Sequence, residues 1–191
     1  MRSEGRFRLT PGGALLLGAL AFLLRPGELA ALACAVFAHE FGHLCALWLM
    51  GQCITGLTIA ATGPVIRCHG FLTRRREIAA ALSGPLFGAI LSLALYTRWP
   101  LASEMSAVLT AVNLLPLLPL DGGRALHAVF SDCAHAEMLM KRIRFCFLAL
   151  LLLCGGYGTA AGWGPALLLF ALWLAIVPEA PTALAKQRRL L

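Results

Sequence analysis

The sequence predicts an all-α polytopic membrane protein with about six transmembrane helices and a short β-ribbon on the cytoplasmic side between the second and third. Composition is the first of three observations behind this. Of 191 residues, 60% are hydrophobic and only 13% charged, and mean hydropathy is +0.81, whereas soluble domains carry roughly 25% charged residues. Disorder, collagen and an ordinary water-soluble fold are excluded. The second observation is a series of six apolar runs near the roughly 20 residues needed to cross a bilayer. The third is where the basic residues fall between them.

The first run, Leu9–Leu24, is short and follows Arg2, Arg6 and Arg8, so it reads either as a span or as a signal peptide. The second, Leu29–Met50, has full spanning length and is interrupted only near its midpoint, by His39, Glu40 and His43. Between it and the third run lie Ile54, Leu57 and Ile59, then Val65 and Ile66, about the turn signal Thr62-Gly63-Pro64. That pattern predicts the ribbon, with an irregular loop as the other reading. The third run, Ile78–Tyr96, carries Ser83-Gly84-Pro85, and the fourth, Leu101–Leu118, ends in Pro116 and Pro119. The fifth and sixth, Phe145–Ala161 and Pro165–Val177, are almost purely aliphatic and form an accessory hairpin at 145–178. The whole of 1–191 is expected to be one integral membrane domain whose core is 29–124.

Placing both termini in the cytoplasm puts 1–8, 51–77, 119–144 and 178–191 on that side, with three, four, four and three of the sixteen Lys and Arg residues. Only Arg25 and Arg98 fall outside. Such a bias is the positive-inside rule, and it predicts a multi-pass protein of the cell membrane. It also accounts for the net charge of +7 without a nucleic-acid partner, because the basic residues are scattered as anchors and do not line one soluble face. The partner that matters is the lipid bilayer. The seven cysteines form no CxxC pair, so a disulfide framework is not expected on the reducing side. Cys68-His69, His127 and Cys133-Ala134-His135 supply no four-ligand set at zinc spacing.

His39-Glu40-Phe41-Gly42-His43 is an HExxH motif. A membrane-crossing segment has to be helical, and two residues four apart on a helix stand one turn apart on the same face, so both imidazoles can reach one ion. Zinc takes two such nitrogens, and Glu40 projects near enough to act on a bound water. Ionisable groups cost about 2.5–3.5 kcal/mol each at mid-bilayer, so they are kept there mainly for function. The other reading is three polar residues satisfying one another within a bundle.

A catalytic zinc needs a third protein ligand. Asp121 stands out, in Asn113-Leu-Leu-Pro-Leu-Leu-Pro-Leu-Asp-Gly-Gly-Arg124. Pro116 and Pro119 break the helix, and backbone freed near the bilayer is tolerated when buried in protein or lining a wet cavity. Gly122 and Gly123 let the chain turn beside the carboxylate. Asp121 could instead cap the segment that follows; beside HExxH the ligand reading is preferred.

These residues resemble the site-2 protease family of intramembrane zinc metalloproteases. HExxH at His39–His43 and the Asn-x-x-Pro-x-x-Pro-Leu-Asp-Gly-Gly pattern at Asn113–Gly123 are its two signatures, and Ser83-Gly84-Pro85 is similar to a small-Gly-Pro element between them. The resemblance covers residues 29–124. It implies Zn2+ held by His39, His43 and Asp121, Glu40 as general base, and Asn113 positioning substrate. It further implies hydrolysis of a peptide bond in a membrane-tethered or single-span protein, such as a sigma-factor precursor or anti-sigma factor, with a membrane regulatory or inhibitory partner left open. No PDZ-like or nucleotide-sensing domain is expected, which is similar to the compact branch that includes a sporulation sigma-factor-processing protease. Rival classes are a non-proteolytic membrane metal-binding protein and a metal transporter. The motif lies about 15 Å along its span from either end at 1.5 Å per residue, so the chemistry requires a cavity that admits water.

Overall fold

A computed structural model describes residues 7–60, 63–69, 72–162 and 166–176. The chain opens with a short strand, β1 (Phe7–Leu9), followed by helices α1 (Pro11–Leu23) and α2 (Pro26–Leu49). A hairpin, β2 (Cys53–Ala60) and β3 (Gly63–His69), leads to α3 (Arg74–Leu95), α4 (Pro100–Asn113), α5 (Asp121–Val129), α6 (Ala136–Ala160) and α7 (Ala166–Ile176). Helices α1, α2 and α4 each begin on a proline, where its missing N–H costs nothing and its fixed φ suits the first turn. At α2 the Arg25 N–H also donates to Glu28 Oε2 at 2.8 Å.

Helix α3 is the centre of the bundle, packed against α2, α4 and α5. The face that α2 turns inward is Ala31, Ala35, His39, Gly42, His43 and Leu47, a run of i, i+4 steps that keeps the imidazoles inside with small residues. Its other side carries exposed Phe37 and Trp48. The two helices come close at Gly42, where a Cβ would crowd the Ser83 carbonyl and the Phe87 side chain. Helices α2 and α3 are each long and apolar enough to cross a membrane. Helices α6 and α7 pack on one another, and Leu174 joins them to Leu117 and Leu120 in one apolar cluster.

The predicted ribbon forms, as an antiparallel pair with Leu57 opposite Ile66 and Thr58 opposite Val65. A third strand is added: β1 pairs parallel to β2, Phe7 against Leu57, so the order is β1-β2-β3 and β3 is an edge. Thr10 extends the junction, its N–H and hydroxyl both donating to the Ile59 carbonyl at 3.0 and 3.1 Å. The first apolar run is therefore docked on the sheet before α1 begins.

Two predicted boundaries move. The fourth run is helical only to Asn113, because Pro116 and Pro119 deny N–H groups to any continuing helix; Leu114–Leu120 is irregular, with a cis Leu118–Pro119 bond, and a separate short helix, α5, follows. The fifth begins at Ala136, not Phe145, since Lys141, Arg142 and Arg144 interrupt hydropathy without interrupting a helix that they favour. The basic termini on which the predicted orientation leans, 1–6 and 178–191, lie outside the described residues, as do turn residues 61–62. Because α2 and α3 meet at Gly42 without spare room, Gly42→Val is expected to destabilise the bundle by about 1–3 kcal/mol, measured as a lower midpoint of thermal unfolding in detergent.

Candidate metal centre

His39 and His43 are 4% and 8% exposed and Asp121 is 7% exposed. Helix α2 holds the two imidazoles one turn apart. Asp121 is the first residue of α5, and reaches them because α5 lies on the irregular segment with almost no space between. A Cβ on Gly122 would run into the Leu114 and Leu115 carbonyls, and one on Gly123 into the Leu117 backbone. The glycines admitted in the sequence for a sharp turn are needed here for close approach.

Three ligand atoms converge. His39 Nε2 lies 3.0 Å from Asp121 Oδ2, His43 Nε2 lies 3.1 Å from the same oxygen, and the two nitrogens are 3.2 Å apart. The tautomer of His43 follows from its other nitrogen, which is 2.7 Å from the Ala80 carbonyl oxygen. A carbonyl only accepts, so Nδ1 carries a proton and donates it, and in the neutral ring Nε2 presents a lone pair. That lone pair faces a carboxylate oxygen and a second imidazole nitrogen. Such a buried trio requires a cation, whether protons or a metal. Ligands set tetrahedrally at about 2.0–2.1 Å from zinc stand about 3.3 Å apart, close to the three separations found here. The donor set therefore fits a metal ion, and among the described residues it is the one such group of His, Cys, Asp and Glu.

The shell around the ligands is built from several elements. The Ser83 hydroxyl donates to the Ala80 carbonyl at 2.7 Å, so His43 and Ser83 share one acceptor. Gly84 lies against the His43 ring, where any Cβ would collide with Nε2. Pro85 withholds the N–H that would otherwise bond the Ala81 carbonyl one turn back. Arg124 donates from Nη1 to Asp121 Oδ1 at 3.2 Å, occupying the carboxylate oxygen that the imidazoles leave free. His39 Nδ1 is buried without a hydrogen-bond partner.

A cavity of about 460 Å³ opens beside the trio, and Glu40, Asn113, Glu77, Arg124 and Trp173 are among its lining residues. All five residues singled out in the sequence, His39, Glu40, His43, Asn113 and Asp121, thus border one space. Asn113 ends α4, with its Nδ2 donating to the Leu109 carbonyl at 2.9 Å. Gly63, Pro64, Val65 and Ile66 of β3 also border it. Side chains alternate across a strand, so four consecutive residues reach the cavity by the edge of β3 that, among the described residues, has no strand beside it. Arg124 and Glu77 were missed by sequence reasoning. Arg124 had a signal, since a residue three after Asp121 on a helix lies on the same side; the Ala80 carbonyl had none.

No family model matches the sequence. Among curated proteins the chain is similar to Stage IV sporulation protein FB of Bacillus subtilis (strain 168), 30% identical over 149 residues that cover 65% of this chain and 50% of that protein. The chain thus spans about half the length of the curated relative it matches. Among solved structures it superposes on a site-2 protease from Methanocaldococcus jannaschii with a TM-score of 0.64 at 21% identity, covering 93% of this chain and 94% of the other. The chain has the fold of that site-2 protease. On that fold the chain carries a His-His-Asp group able to hold a metal ion and two helices long and apolar enough to cross a membrane.

With this shell, Arg124 should matter to a bound metal without touching it. Arg124→Gln is expected to weaken zinc affinity by about 10–100-fold, the usual cost of losing a partner that orients a ligand. Competition with a chromogenic chelator measures it.

Proposed function

We infer that this chain is an intramembrane zinc metalloendopeptidase that hydrolyses a peptide bond in a membrane-associated or single-span protein. The observation that carries the reading is the buried His39–His43–Asp121 trio opening, with Glu40 beside it, into a cavity that a free strand edge also borders. A sigma-factor precursor or an anti-sigma factor is the substrate class that the family resemblance favours. A multi-pass topology of about six spans with cytoplasmic termini, supported by the Lys and Arg bias, places the hairpin and the mouth of the cavity on the cytoplasmic side.

His39, His43 and Asp121 would hold zinc, which when bound would supply Lewis acidity to a carbonyl and lower the pKa of water toward about 7. The remaining work falls to the chain. Glu40, next to His39 on α2 and half-buried at the cavity, takes the proton of the attacking water and delivers it to the leaving amine. Asn113 has one Nδ2 hydrogen engaged with the Leu109 carbonyl, which leaves its amide oxygen and its second N–H to meet a peptide bond. The edge of β3 supports substrate by strand addition, which suits a protease whose substrate has to unwind before it is cut. The apolar walls, among them Val36, Leu118 and Trp173, keep bulk water from the reacting groups.

Glu40→Gln should abolish cleavage of a co-expressed membrane-tethered substrate while the purified protein still carries one zinc, read by product blotting and metal analysis. Cleavage surviving the change would refute the general-base role; zinc binding with no cleavage by the wild type of any tethered substrate would favour a non-proteolytic metal protein or a transporter.

A further inference from the structure

Glu77 is the buried group that the mechanism leaves unused. It is 2% exposed, among the largest fully buried side chains, and its Oε2 is sealed without a hydrogen-bond partner. Glutamate is almost never fully buried unless paired. Its position at the first turn of α3 complements the helix dipole, but that effect operates equally well at a surface. The neighbouring Arg74, Arg75 and Arg76 are exposed, whereas Glu77 turns into the metal-site cavity.

The surroundings indicate what it meets there. Glu77 is one helical turn before Ala80, whose carbonyl holds His43, on the side toward the start of α3. The same cavity is bordered by the free edge of β3 and by His39, His43 and Asp121. An extended peptide lying along β3 satisfies half of its main-chain N–H groups on that strand, and the other half point away from it. In a space walled by Leu47, Leu72 and Val65, an N–H pointing away needs an acceptor. With divalent zinc present, the charges of Asp121, Glu40, Glu77 and Arg124 sum to neutrality, which favours a neutral donor over a basic side chain. We propose that Glu77 is a substrate-positioning residue whose carboxylate accepts a hydrogen bond from a main-chain N–H of the bound peptide between the β3 edge and the metal. This rests on the protease reading above.

The test uses the full chain, zinc-loaded and carrying Glu40→Gln so that peptide is not consumed. The probes are fluorescein-labelled synthetic peptides copying apolar transmembrane segments, each N-methylated at one main-chain position in turn, with binding read by anisotropy. In this background, methylation at one position on the edge away from β3 should weaken binding about ten-fold, the loss of one hydrogen bond to a charged group. Adding Glu77→Leu should weaken the unmethylated peptide by a similar factor and erase the penalty at that position alone. Glu77→Gln, which keeps the shape and one acceptor oxygen, should shrink the penalty, and it carries the test if the leucine variant fails to fold. In the active enzyme either change should raise KM with kcat little altered. An unchanged methylation profile in the variants overturns the assignment of Glu77 while leaving the protease intact. Failure of every peptide to bind, together with no cleavage by the wild type, overturns both.

Discussion

Three electron-pair donors within 3.2 Å of one another in a buried site repel unless a cation sits among them, and the rest of the molecule is arranged around that constraint. The Ala80 carbonyl removes the easiest escape by claiming the Nδ1 proton of His43. Arg124 occupies the second oxygen of Asp121, leaving the first for the trio. Each partner comes from a different element, so α2, α3 and α5 all have to be in place before the ligand atoms can meet. This explains the run of glycines at their contacts: Gly42 and Gly84 between α2 and α3, Gly122 and Gly123 between α5 and the segment before it.

The broken segment Leu114–Leu120 is the architectural cost of that arrangement. A carboxylate delivered to the middle of α2 from a continuous α4 would lie on that helix and would pack as one more span residue. Ending α4 at Asn113 and restarting at Asp121 sets a helix start against the two histidines, and a helix start is where an acid is electrostatically favoured. The same break leaves Asn113 at the rim of the cavity and lets Leu117 and Leu120 anchor Leu174 of α7. One interruption thus supplies a ligand, a polar cavity wall and the attachment of the last two helices.

The parts legible in the sequence are those governed by local spacing. His39, Glu40 and His43 are one turn of one helix, and the spacing alone puts both imidazoles on one face. Asp121 was legible less directly, through the prolines and glycines that mark where helix must stop. The hairpin showed in its apolar pattern and in Gly63, which adopts a positive φ of 102°. The third strand did not: β1 is three residues long and pairs with Leu57–Ile59, some fifty residues away, and nothing local in Phe7-Arg8-Leu9 announces it. Helix α5 was hidden because nine residues beginning Asp-Gly-Gly read as a turn. The Ala80 carbonyl is invisible to any residue-type argument, since every residue has one. Glu77 looked like an ordinary acid beside three arginines until burial distinguished it.

Zinc K-edge absorption spectroscopy of the purified, zinc-loaded chain tests the central claim most directly, because it reads the ligands of the ion irrespective of substrate. One zinc per chain, bound by nitrogen and oxygen only, with imidazole scattering that halves in His43→Ala, is the predicted result. Sulfur scattering near about 2.3 Å, or an imidazole signal indifferent to His43, would contradict a metal held by His39, His43 and Asp121.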